Sequence, residues 1–367
     1  MEPFRIDVSD EVLADLASRL SRTRWPTPSP APGWDQGVPL GFLQDLVDYW
    51  LDGYDWRAAE AQLNSYPQFR VEVDGQPIHF MHVVSRHANA LPVILTHGWP
   101  GSVAEFLDVI GPLTDPPDPA DALTLVIPSL PGYGFSGPTN DLGWHPRRIA
   151  AALASVAERL GYDRYGVQGG DWGSSVSANL ADLYPDRVCG LHLNFLSLPP
   201  PDGEAPVDHP PAQRFAQSGN GYQLIQGTKP QTIGYLLDDS PVGLAGWIVE
   251  KFREWSDCGG DPLRSFTRDR LLTDVMIYWV TRTGTSAARL YWEMRQAGRQ
   301  ALPQAPVTVP TGVANFPGEI SRTERAWAER RYNIVHWTYP ERGGHFAAME
   351  VPDLFAADVR EFFRQVR

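Results

Sequence analysis

Residues 164–173, RYGVQGGDWG, join a short apolar strand to a helix through a turn rich in glycine. Few backbones tolerate such an elbow. It brings the residues two before and two after its apex into contact, and a Cβ at either would clash. Gly169 and Gly173 occupy those positions, which puts Asp171 at the apex. The elbow demands a strand before it and a helix after it, and the rest of the chain keeps that rhythm. LPVILTH from residue 91, LTLVIPS (123–129), VCGLHLNFL (188–196), PVTVPTGVA (306–314) and NIVHWTY (333–339) read as buried strands. Helical stretches such as HPRRIAAALASVAERLGYD (145–163) alternate with them. This pattern predicts a doubly wound, mostly parallel sheet.

Four segments follow from the pattern. Residues 1–90 are a leading segment: a helix capped by Ser9, a proline-rich meander (23–34), a helical stretch (40–56), and a hairpin turning at Asp74-Gly75. Residues 91–197 are the first part of the α/β core. Residues 198–305 carry helical stretches and no clear strand, which predicts a helical cap inserted into the core. Residues 306–367 complete the core with two strands and a terminal helix.

Composition excludes several functions. The formal net charge is −13, without the basic patch of a nucleic-acid binder. No apolar run reaches the roughly 18 residues of a membrane span. The acidic N-terminus lacks the marks of a signal peptide. Cys189 and Cys258 form no metal or redox spacing. A cytoplasmic enzyme without metal or cofactor is expected. Lys229 and Lys251 are the only lysines beside many arginines, which points to a GC-rich, bacterial genome.

The chemistry rests on three places. Asp171 at the elbow is a nucleophile candidate, whereas Ser174 and Ser175 fall inside the following helix. HGWPGS (97–102) follows a strand where α/β-hydrolases place an oxyanion-hole loop, so the backbone N–H groups of Trp99 and Trp172 are the expected donors. His345, in RGGHFAAME, stands after the last strand, where this fold carries its base. The acid is expected at Glu319 in VANFPGEIS, with Glu324 second. The alternative position, at the end of VCGLHLNFL, offers only Asn194 and Ser197.

Together, RLSRTRWP, DWRAAEAQLNSYPQF, HGWPGS, PGYGFS, GGDWG, FPGEI and GGHFAAME resemble the α/β-hydrolase-fold epoxide hydrolases over nearly the whole chain. The similarity is to the microsomal-type group with an N-terminal meander, without its membrane anchor. It implies an eight-stranded sheet and conversion of an epoxide and water to a vicinal diol through an ester on Asp171. It also implies two cap tyrosines holding the epoxide oxygen, matching Tyr222 and Tyr291. Trp99, Pro100, Trp172 and Phe346 are expected to line a pocket for a small lipophilic or aryl epoxide. A homodimer is compatible with this reading, and detoxification and secondary metabolism are both open. HGWPGS and GGDWG alone would suit a haloalkane dehalogenase equally. A non-catalytic binding protein on this fold is the remaining alternative.

Overall fold

The structure is a computed structural model and describes residues 1–367. One nine-stranded sheet organises the chain in the order β1-β2-β3-β5-β4-β6-β7-β8-β9. Its strands are β1 (Glu2–Phe4), β2 (Gln68–Val73), β3 (Gln76–Val83), β4 (Leu91–Thr96), β5 (Leu123–Pro128), β6 (Tyr165–Gly169), β7 (Val188–Leu193), β8 (Val307–Ala314) and β9 (Tyr332–Thr338). From β5 to β9 every pairing is parallel; β1, β2 and β3 add an antiparallel edge. This is the α/β-hydrolase architecture with one strand more than expected. The addition is β1, three residues of which two are exposed, too short to show an alternating pattern.

Local chemistry explains the leading segment. The Ser9 side chain accepts from Val12 N–H at the start of α1 (Asp10–Ser21), whose first turn carries Asp10 and Glu11. α2 (Leu40–Asp52) ends before Gly53, and Asp55 caps α3 (Trp56–Leu63). Residues 23–39 hold no helix or strand, as their prolines dictate. Asp74 and Gly75 both take positive φ, 53° and 74°, the turn a two-residue hairpin needs. The hairpin they close, β2–β3, is part of the main sheet.

Helices cover both faces of the sheet: α4 (Leu107–Thr114), α5 (Pro146–Arg159) and α6 (Asp171–Leu183) follow strands in the first half. Between β7 and β8 the chain is helical: α7 (Pro210–Arg214), α8 (Gly221–Thr228), α9 (Pro230–Asp239), α10 (Pro241–Glu254), α11 (Arg268–Thr281) and α12 (Gly284–Ala297), with short irregular helical turns. The chain ends in α13 (Arg325–Ala328), α14 (Ala347–Glu350) and α15 (Pro352–Val366). α15 presses Phe362 and Phe363, both fully buried, against the sheet. A Cβ at Gly166 or Gly312 would lie 2.2 Å or 2.5 Å from those rings, so glycine in β6 and β8 is what lets the helix approach. The parallel strands then direct their C-terminal ends to one edge, where open α/β sheets bind ligands.

Candidate active site

The elbow between β6 and α6 is strained as its sequence requires. Asp171 has φ +46°, uncommon for a residue with a side chain. A Cβ on Gly169 would lie 2.1 Å from the Gly173 carbonyl oxygen, and one on Gly173 would lie 1.9 Å from that of Thr96. The carboxylate is thereby lifted out of the sheet edge toward two loops. From the loop after β4, the Trp99 N–H donates to Asp171 Oδ1 at 2.7 Å. The Trp172 N–H, at the start of α6, makes no bond to this carboxylate. From the loop after β9, His345 Nε2 stands 3.3 Å from Asp171 Oδ2.

His345 is held from its other side by Glu319, in the loop after β8: Nδ1 lies 2.8 Å and 3.0 Å from the two carboxylate oxygens. Glu319 also accepts from Ile320 N–H at 2.6 Å. His345 and Glu319 are both buried, whereas Glu324 is exposed. Burial opposes a charge on the ring, but Glu319 and then Asp171 outweigh it and hold the pKa of His345 well above the usual imidazole range. The structure thus joins Asp171, His345 and Glu319 from three separate strand ends.

Facing them is an aromatic roof. Tyr222 from α8 stacks on Trp99 with ring centres 4.9 Å apart, and Tyr291 from α12 meets the Trp172 ring edge-on at 4.8 Å. The two tyrosine rings are 5.6 Å apart, and Trp255 closes the group at 5.1 Å from Tyr222. The Tyr291 hydroxyl is buried without a hydrogen-bond partner. Burial raises the pKa of both hydroxyls, reinforced by Asp171 at Tyr222 and by the Tyr222 phenol and then Asp171 at Tyr291. A small cavity beside Asp171 is lined by Trp99 and Phe346 among others. Pro100 is buried, but it and Trp172 lie outside that lining. Of the aromatics in the helical insertion, Trp255 faces the site and Phe252 stacks on Phe346 at 4.2 Å, while Trp247 donates to Gln226 instead.

Several supports escaped sequence reading. The His345 N–H donates to the Trp255 carbonyl at 2.9 Å, tying the helical insertion to the loop after β9. Glu350, pushed up to about 8 by burial, accepts from Phe346 N–H and Asp257 N–H. Burial lowers His97 to about 4, so its Nε2 stays an acceptor for Leu130 N–H. Lys251, one of two lysines, is buried with its ammonium 4.7 Å from the centre of the Tyr222 ring. Only GGHFAAME hinted at any of these, through its terminal glutamate. No cluster of residues suited to holding a metal ion occurs, and no helix is long and apolar enough to cross a membrane.

Known proteins place this arrangement. The family model "Epoxide hydrolase N terminus" matches residues 1–106, and that of the alpha/beta hydrolase fold matches residues 92–222. The chain is 48% identical to a protein of Stigmatella aurantiaca, over 100% of its own length and 85% of that protein's. It is 36% identical to epoxide hydrolase 1 of Sus scrofa, covering 99% of this chain and 88% of the relative. The structure of Aspergillus niger epoxide hydrolase superposes with a TM-score of 0.89 at 32% identity, covering 100% of this chain and 96% of that one. These likenesses favour epoxide over halide chemistry. The chain belongs to the α/β-hydrolase-fold epoxide hydrolases.

Proposed function

We propose that this epoxide hydrolase works through an ester on Asp171. The observation that carries the proposal is the placing of His345 between two carboxylates, under a roof holding the unpartnered Tyr291 hydroxyl. Asp171 attacks an epoxide carbon from the face opposite the C–O bond, and Tyr222 and Tyr291 donate to the oxygen as it gains charge. A carboxylate suits this step because it yields an ester, which water can cleave. A serine would yield an inert ether.

Charge bookkeeping orders the two steps. Before the reaction, Glu319 and Asp171 together favour a protonated His345. Esterification removes the charge of Asp171, so the imidazole pKa falls, and the proton the ring gives up goes to the alkoxide left by ring opening. The ring then accepts a proton from water as that water attacks the ester carbonyl. The resulting oxyanion is drawn to the Trp99 N–H, which already reaches Asp171 Oδ1, with the Trp172 N–H as second donor. A vicinal diol leaves.

The substrate we infer is a small lipophilic or aryl epoxide, matched to the rings of Trp99, Trp255 and Phe346. The helical insertion, residues 198–305, acts as a cap. A cytoplasmic setting, a bacterial source and a homodimer are all compatible with this reading. Diol formation from a panel of aryl and alkyl epoxides, resolved by chiral chromatography, tests it. The wild type should convert aryl epoxides, and Asp171→Asn should not. Equal conversion by both proteins would refute the role of Asp171.

A further inference from the structure

Ester hydrolysis needs a water held in line, and one residue beside Asp171 is placed to hold it. The cavity there has room for about one water. Its polar lining is Thr96, Glu105, Asp171, Asn194 and His345. Asn194 is oriented by Gln168, whose amide donates to Asn194 Oδ1 at 2.7 Å. His345 Nε2, though 3.3 Å from Asp171, is not aligned for a hydrogen bond with it. Glu105 lies in the short helical turn Val103–Phe106, just past the Trp99 loop. Its carboxyl has no hydrogen-bond partner and no arginine or lysine beside it. It folds back over Gly101, where a Cβ would stand 1.4 Å from Glu105 Oε1, so glycine is required at that position for the carboxyl to fit.

We propose that Glu105 is a positioning residue for the hydrolytic water, holding it in this cavity between His345 Nε2 and the Asp171 ester. The inference rests on the ester mechanism above. The water gives one O–H to His345 Nε2 and the other to a Glu105 oxygen, which leaves a lone pair directed at Asp171 Cγ. That lone pair forms the new C–O bond, and the proton passes to His345. The bond from Cγ to the substrate-derived oxygen then breaks, and that oxygen takes the proton from His345. Burial, and then the neighbouring Asp274, push the pKa of the Glu105 carboxyl well up, toward its neutral form. A neutral carboxyl still accepts a hydrogen bond, and it sets no negative charge against the oxyanion. Asp274, buried on α11 with Oδ1 accepting from the Ser102 hydroxyl at 2.6 Å, lies outside the cavity lining.

Single-turnover kinetics with an aryl epoxide separate the two half-reactions: tryptophan fluorescence follows ester formation, and intact-protein mass follows its decay. Glu105→Ala should form the ester within about threefold of the wild-type rate, yet hydrolyse it about 10²-fold more slowly, so that the ester accumulates. Glu105→Gln, which keeps an acceptor in place, should restore hydrolysis. Should Glu105→Ala lose its fold, Glu105→Met fills the space without an acceptor. Unchanged hydrolysis in the apolar variants overturns the proposal. So does equal slowing of both half-reactions, the mark of a structural role, and so does failure of Glu105→Gln to restore hydrolysis. His345→Gln is the control for the mechanism itself. Ester accumulating there but not in the apolar Glu105 variants would refute Glu105 alone; no ester in His345→Gln would remove the ester mechanism and this proposal with it.

Discussion

The floor and the roof of the site are built by opposite means. The floor, Asp171, His345 and Glu319, comes from three loops at the ends of parallel strands, and each group is fixed by hydrogen bonds or backbone strain. The roof, Tyr222, Tyr291 and Trp255, comes from helices of the insertion and is fixed by ring packing. The floor favours charge: two carboxylates raise the pKa of His345 against its burial. The roof disfavours it: burial keeps both phenols neutral. Ring opening needs both, an anion below to attack and neutral donors above to receive the developing charge.

Breaking the floor should cost most. Asp171→Asn keeps the elbow, since asparagine also tolerates positive φ, and should lower turnover by at least about 10⁴-fold without lowering the unfolding temperature. A variant that retains turnover would show that the floor does not carry the chemistry. Breaking the roof should cost less. Tyr291→Phe removes only a buried, unpartnered hydroxyl, and should slow ester formation by about 10²-fold or more while leaving ester decay alone. Rapid mixing separates the two rates, and equal slowing of both would place the tyrosine in packing instead.

A third change sharpens the electrostatic contrast. Glu319 raises the His345 pKa, and ester decay needs the unprotonated ring. Glu319→Gln should therefore shift the acidic limb of the ester-decay profile to lower pH, even as decay slows. A limb that stays in place, or moves upward, would mean that Glu319 does not set the charge of His345. The smallest effect should come from the roof's scaffold. Ser240 caps α10 by accepting from Gly243 N–H at 3.0 Å, so Ser240→Ala should cost about 1 kcal/mol of stability by chemical denaturation. The pH profile should not move.

The same contrast explains what the sequence made legible. Floor residues sit where strand, turn and helix signals converge, and the chain order of Asp171, Glu319 and His345 restricts them further. The roof has no such grammar. Tyr222 and Tyr291 are 69 residues apart on different helices, indistinguishable by pattern from the other tyrosines, and only family resemblance picked them out. Glu105 and Asp274 were invisible for another reason. A carboxylate in a helical turn normally reads as a solvated face, and nothing local shows that the helical insertion will pack over it. β1 was missed because three residues are too few for a period to show.

The central claim is that water attacks the enzyme's own ester and never the epoxide. One turnover in heavy-oxygen water, with enzyme in excess, tests it most directly by mass spectrometry of the diol and of the peptide carrying Asp171. The account predicts an unlabelled diol and one heavy oxygen in the Asp171 carboxylate. A labelled diol with an unlabelled Asp171 would contradict it.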